Sequence, residues 1–563
     1  MKPTPSYQKL RGGYYTPQPV ADFLAAWAIQ GAGTRVLEPS CGDGALLLAA
    51  ARRLLACGAA PEGVAQHARG IELDAQEADH AAIRLSNLLE MPTREAIITG
   101  DFFTFCKKTL ATSQRYDAII GNPPFIRYQH FPEDYRRIAF YLMQLARLHP
   151  NRLTNAWVPF LVAATQLLDT HGRVAMVIPA ELLQVNYAAE LRYYLSQNYS
   201  AVTLVTFRKL LFEGAQQEVV LFLGERDGEQ RHGIKTIELD GVDDLAQLDL
   251  RTLDSASVKE MDHSTEKWTM YFLDPDELAL LRRLREHPRL IPAGHVLDVD
   301  VGVVTGMNDF FVLSERQVQA HEVDKQFVLP LVGRSAALKG LIFSEDDWQS
   351  MVERQDPAYL LTLPDVPLSK LPPSAQAYVT WGESQGWHTG YKCRIRKRWY
   401  VTPSLWTPQA FLLRQIHAYP KLIANQAHAI STDTIHRVKI RQGVNPNTMA
   451  ATFFNSLTFA FAEVIGRSYG GGLLELEPNE AERLPLPLVR AAALDIQQLD
   501  TLVRAGDINA ALDRTDAVLL REGLGLSAHE CRMLRGIWEK LRDRRINRKP
   551  EVKSRHKTLV ALA

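Results

Sequence analysis

The residues in this chain best suited to chemistry are Asn122-Pro-Pro-Phe125, which follow directly on the apolar run Tyr116 to Ile120 and on Gly121. An exocyclic amine conjugated to a nucleobase is a poor nucleophile. Two acceptors, the Asn122 side-chain oxygen and the Pro123 carbonyl, can bind both of its hydrogens and concentrate its lone pair toward an incoming methyl group. Pro123 and Pro124 stiffen that carbonyl and remove a competing N–H donor, and Phe125 offers a flat face on which an extruded base can stack. A proline-stiffened turn leaving a strand uses similar residue types. From average residue usage, however, such a four-residue match arises by chance in a chain this long only on the order of a few times in a thousand.

A second constellation lies upstream. Leu37-Glu-Pro-Ser-Cys-Gly-Asp-Gly44 falls between an expected strand and an expected helix, where small residues admit a ligand to the backbone and a helix N-terminus offers unpaired N–H groups. Its spacing departs from GxGxxG and from GxxxxGK[ST], so NAD and ATP are poor fits. Glu72, near the end of the next expected strand, can accept hydrogen bonds from a ribose diol. Asp101 and Phe102, just after the third, offer an acceptor for an exocyclic amine beside an aromatic face for a purine. Each has a plainer reading: a tight turn, a solvated strand-end carboxylate, a helix N-cap with a core phenylalanine. Together, at three successive strand ends on the side where open sheets bind ligands, they point to an adenosine-containing cofactor.

The elements that must position these residues are legible as alternation. From Arg35 to about Gly224, short apolar runs alternate with longer amphipathic stretches, which predicts an α/β doubly wound, mostly parallel sheet with helices on both faces. Strands are predicted at Thr34–Glu38, Gly70–Asp74, Ala96–Thr99, Tyr116–Ile120, Gly172–Ile178, Val202–Phe207 and Val219–Leu223, with a first helix over Gly44–Leu55. After about Arg226 short apolar segments separated by Gly, Pro and Asp predict a mixed α+β domain, and Ala491 to Leu541 has helical periodicity. The expected division is 1–262, 263–487 and a helical, basic extension over 488–563.

Asn122-Pro-Pro-Phe125 with Glu38-Pro-Ser-Cys-Gly-Asp-Gly44 upstream resembles the S-adenosylmethionine-dependent N6-adenine DNA methyltransferases of restriction-modification systems, in the motif order of their gamma class. Gly13-Tyr-Tyr-Thr-Pro17 resembles the short motif that closes over the methionine part of the cofactor in that family. Asn155 to Phe160 and Gly172 to Pro179 resemble its next helix and strand. The resemblance implies a Rossmann-like class I methyltransferase sheet followed by a target-recognition domain. It implies S-adenosyl-L-methionine as cofactor, surrounded by Tyr15, Thr16, Pro17, Glu38, Ser40, Cys41, Gly42, Glu72, Asp101 and Phe102. It places Asn122, Pro123, Pro124 and Phe125 around the target adenine. Leu211-Phe212-Glu213-Gly214 matches a family loop whose phenylalanine faces the flipped base, although Phe212 equally suits a core position after an apolar run. The family often has Tyr where this chain has Phe125, and either ring can stack. Val301-Gly-Val-Val-Thr-Gly306, Pro330 to Arg334 and Gly470 to Glu475 look like landmarks of its target-recognition region.

Lys+Arg and Asp+Glu balance at 64 each, so a nucleic-acid partner must be argued from local charge. Lys392, Arg394, Arg396, Lys397 and Arg398 gather around Trp399, which predicts phosphate and base contact to duplex DNA, a solvated basic hairpin being the plainer alternative. Five scattered cysteines without a CxxC pair argue against a structural zinc site or a disulfide framework. His417, His428 and His436 fit no ligand spacing, so no metal is expected. Met1 to Leu10 lacks an apolar segment and no later stretch reaches bilayer length, so a bacterial, cytoplasmic, nucleoid-associated monomer without a membrane partner is expected. A separate chain is the expected home of a cognate restriction endonuclease. Methylation of RNA or of a protein glutamine, and a non-catalytic DNA-specificity subunit, remain the alternatives.

Overall fold

Apolar triplets and sextets too short for helices pair into one large sheet, and the amphipathic stretches between them cover it. The computed structural model describes residues 16–126, 132–209, 218–227, 233–261, 266–441, 443–469 and 471–547. It divides into a unit ending at Phe272 and a second unit formed by Leu273–Ser468 with Gly472–Ile546.

In the first unit the strands are β1 (Val36–Glu38), β2 (Ala68–Glu72), β3 (Ile97–Thr99), β4 (Tyr116–Gly121), β5 (Leu168–Pro179), β6 (Ala201–Phe207), β7 (Val219–Glu225), β8 (Gly233–Leu239) and β9 (Lys259–Glu260). Their order is β3-β2-β1-β4-β5-β7-β6-β8-β9. β3 to β5 run parallel through β2, β1 and β4, whereas β7 is antiparallel to both β5 and β6. The chain leaves β1 toward β2 on one side and returns to β4 on the other. The crevice between the ends of β1 and β4 is therefore the topological switch point, where open α/β sheets bind ligands.

The helices that set this crevice are α1 (Gln18–Ala28), α2 (Ala45–Ala56), α3 (Ala75–Leu89), α4 (Phe102–Leu110) and α5 (Trp157–Leu167). α1 starts at Pro17, whose carbonyl accepts from the Val20 and Ala21 amides. It buries Val20, Phe23, Leu24 and Trp27 in the same core as Leu46, Leu47 and Leu54 of α2. α3 is capped by Asp74, whose side chain accepts from the Gln76 and Glu77 amides. At the opposite sheet end Arg35 binds Asp117 at 2.6 Å and Asp169 at 2.9 Å, joining the entries of β1, β4 and β5.

The seven predicted strands are present within a few residues. β8 and β9 were not foreseen, because the adjacent polar residues Lys235 and Thr236 break the apolar-polar alternation that marks a half-covered strand.

The second unit holds a five-stranded sheet. Its strands β10 (Leu297–Asp300), β11 (Ile342–Phe343), β12 (Ala410–Leu413), β13 (Leu422–Asn425) and β14 (Ile435–Ile440) take the order β10-β14-β12-β13-β11. The segment expected to stand apart after residue 487 belongs to this unit as far as Ile546. The reason is burial of charge. α6 (Ser456–Ile465) and α7 (Ala528–Ile546) pack together, and Arg545 pairs with Glu463 at 2.5 Å with both side chains inaccessible. The same guanidinium donates to the carbonyls of His417 and Gly472. Asp516 accepts from the Ser456 amide and hydroxyl and pairs with Arg535 at 3.0 Å. The basic residues beyond 547 lie outside the described residues. No single described helix is long and apolar enough to cross a membrane.

Candidate active site

The loop after β1 is shaped by two left-handed glycines, Gly42 (φ 49°) and Gly44 (φ 85°), the second of which caps α2. A Cβ at Gly44 would stand 3.1 Å from that of Ala81, so the residue is required by both its conformation and the approach of α3. Glu72, at the end of β2, holds this loop: one carboxylate oxygen accepts from the Gly42 amide at 2.8 Å and the other from the Asp74 amide at 2.9 Å. A carboxylate has about four acceptor positions, so these bonds leave capacity for a diol. Leu73, next in the chain, is 53% exposed.

Glu38 is buried, 2% exposed, and its Oε2 atom has no hydrogen-bond partner among the described residues. Burial, then the neighbouring charge of Glu72, hold its carboxyl well above the usual carboxylate range. An acid kept in such a position fits a cationic ligand group, and the α-ammonium of S-adenosylmethionine is one. Cys41 is buried with its thiol pushed up by burial and by nearby carboxylates, which suits a packing residue and not a nucleophile.

The loop after β4 meets the loop after β1. The Ser40 hydroxyl donates to the Asn122 carbonyl at 3.5 Å, and Asn122 Nδ2 donates to the Thr16 hydroxyl at 3.2 Å. Pro123 is buried, Pro124 is partly buried, and Phe125 packs partly against the core beneath the sheet. Immediately beyond, the Ile126 carbonyl accepts from the Ala156 amide at 2.9 Å, fixing the loop after β4 to the start of α5. Asn155 beside it donates to Glu181 at 3.0 Å and to the Tyr187 hydroxyl at 3.3 Å, and Tyr187 donates to Glu181. This polar cluster was not foreseen, because Glu181 and Tyr187 are remote from any motif.

Asp101 caps α4, accepting from the Thr104 amide at 2.7 Å, and Phe102 is 3% exposed, stacked on Phe160 at 5.2 Å. Phe102, expected beside a purine, is covered on this side by the rings of Phe103 and Phe160. In the basic segment, Arg396 donates to the Val304 carbonyl at 2.8 Å and lies over the Phe311 ring. Arg398 pairs with Asp365, and Trp399 donates to Glu383 at 3.0 Å and packs on Phe310. These three are tied to the second unit and partly exposed, whereas Lys392, Arg394 and Lys397 are exposed. His436 is buried and hydrogen-bonded to the Leu476 carbonyl at 2.7 Å. Tyr15 and Phe212 lie outside the described residues.

This sheet order and the meeting of the two loops at its switch point define a class I methyltransferase. Residues 2–279 match the sequence model of the N-6 DNA methylase family. Residues 265–520 match that of the C-terminal domain of the type II methyltransferase M.Eco57I. The chain belongs to the N-6 DNA methylase family, the N6-adenine DNA methyltransferases of restriction-modification systems, and its methyl donor is S-adenosylmethionine. It is 20% identical to the type II methyltransferase M.AccI of Acinetobacter calcoaceticus over 494 residues, 85% of each chain. It is 24% identical to M.XamI of Xanthomonas campestris pv. amaranthicola over 489 residues, 84% of this chain and 85% of that one. In fold it is similar to the type IIL restriction-modification enzyme MmeI solved in complex with DNA, with a TM-score of 0.57 and 11% identity over 94% of this chain and 75% of that one.

Proposed function

We propose that this chain is a gamma-class, site-specific modification methyltransferase that methylates N6 of an adenine flipped out of duplex DNA. The observation that carries the proposal is the direct contact between the cofactor loop and the catalytic loop, Ser40 to Asn122 at 3.5 Å and Asn122 to Thr16 at 3.2 Å.

In this reading Thr16, Pro17, Glu38, Ser40, Gly42 and Glu72 hold the cofactor, Glu38 taking its ammonium and Glu72 its ribose. Bound S-adenosylmethionine supplies an electrophilic methyl group. Asn122 Oδ1 and the Pro123 carbonyl accept the two N6 hydrogens of the adenine, so its lone pair faces away from them and toward the cofactor side. Phe125 stacks on the base and offsets an unstacking cost of about a few kcal/mol. Neither Asn122 nor Pro123 can take up a proton, so the hydrogen lost from N6 passes to solvent. Orientation and electrostatics at the amine, and not a covalent enzyme intermediate, supply the rate. The second unit reads the target sequence, any cognate endonuclease resides on another chain, and the protein acts as a monomer.

A panel of duplex DNA, structured RNA and a release-factor protein, each incubated with methyl-labelled cofactor, tests the substrate class. Label confined to duplex DNA is expected. Label on RNA or protein with none on DNA overturns the proposal.

A further inference from the structure

Between α8 (Pro373–Ser384) and β12 of the second unit, a short helix, α9 (Tyr391–Arg394), and the turn after it sort their side chains by direction. Cys393 is fully buried, Arg396 is tied to the Val304 carbonyl, and Trp399 lies on Phe310. Below the turn the backbone of Gly306, at φ 81°, passes so close that a Cβ there would meet the Lys392 Cβ at 2.7 Å. The turn is thus clamped on its inner side. Its outer side sets two large apolar side chains among exposed cations. Tyr391 is 67% exposed and Ile395 61%, one helical turn apart on one face, and the Ile395 amide donates to the Tyr391 carbonyl. Around them stand Lys392, Arg394 and Lys397, exposed and without an ion pair or side-chain hydrogen bond among the described residues.

We propose that Tyr391 and Ile395 form an apolar probe that enters a groove of duplex DNA against the bases, while Lys392, Arg394 and Lys397 take the flanking phosphates. The inference rests on the reading that the chain modifies DNA, and it goes further in naming which side chains meet bases. The argument is one of complementarity. A large apolar pair on a soluble surface calls for a partner that buries it. Three unpaired cations within seven residues select a polyanion, and a nucleic-acid groove sets thymine methyl groups and base edges between phosphate rims. The inner anchors hold the probe in its exposed form, so little ordering is required on contact.

Two variants separate the roles. Lys392→Ala/Arg394→Ala/Lys397→Ala should make the slope of log affinity against log salt on a random-sequence duplex shallower by about three, one phosphate per cation. Tyr391→Ala/Ile395→Ala should leave that slope as in the wild type. It should also lower methylation at sites first mapped with the wild-type protein by tenfold or more, with Tyr391→Phe restoring most of the rate. Both variants change exposed side chains, and unchanged thermal unfolding confirms that each is folded. If both match wild type in slope and rate, the inference is overturned. If wild-type protein binds duplex DNA without methylating it, the proposed function fails, and the turn is still judged by the slope and by the apolar pair's effect on affinity.

Discussion

Glu38 is an acid held where ionisation is unfavourable, and its cost to the fold can be measured. Its pKa in the folded chain lies above the unfolded value of about 4.3, so stability associated with its neutral form is present at low pH. That stability is lost as pH rises from the unfolded value toward the folded one. Glu38→Gln removes the burden. Urea unfolding should show the variant matching wild type near pH 4 and exceeding it at pH 7. Cofactor affinity by calorimetry should fall at least tenfold. A variant less stable than wild type across the whole range would contradict this account of the site. Much of the site was legible at this scale, because Asn122, Ser40, Gly42 and Glu72 occupy strand ends that the alternation of apolar runs already located. The covering of Phe102 by Phe103 and Phe160 was not, since a core ring and a ring facing a ligand have the same sequence signature. Nor were the anchoring roles of Arg396 and Arg398, because whether a cation faces a carbonyl, an acid or water depends on residues 33 to 92 positions away.

The element on which the site most depends is the turn from β1 into α2. Gly44 combines a left-handed φ of 85° with a near contact to Ala81, so Gly44→Ala strains the backbone and presses on α3 at once. Thermal or denaturant unfolding should register a loss of about 1–3 kcal/mol, and cofactor binding should weaken in parallel because the Gly42 amide shifts from Glu72. Unchanged stability would mean that α3 yields and the turn is soft. The same element shows why the sheet could be read from sequence and its far edge could not. β1 to β5 are short apolar runs between helices, whereas β8 and β9 follow a change in composition and pair across it. Only tertiary pairing of β8 with β6 makes Gly233–Leu239 a strand.

For the whole molecule, the segment after residue 487 determines whether the second unit closes. Helical periodicity and a basic tail suggest a separate extension, yet Arg545 and Asp516 place their charges inside the second unit, a pairing between distant positions that local sequence does not encode. Breaking a buried pair leaves an uncompensated charge, so Arg545→Ala should destabilise the second unit by about 3–5 kcal/mol. Limited proteolysis should then cut within 273–546 while the first unit stays intact and keeps its cofactor affinity. Equal protease resistance in the variant would show the pair to be dispensable.

The central claim is that the loops after β1 and β4 together direct methyl transfer to an adenine amine. The most direct test is mass spectrometry of nucleosides from unmethylated duplex DNA incubated with S-adenosylmethionine and either wild-type protein or Asn122→Ala. N6-methyladenine is expected with the wild type and not with the variant, while both bind cofactor with similar affinity. N4-methylcytosine with the wild type, or N6-methyladenine formed equally by the variant, would contradict the account.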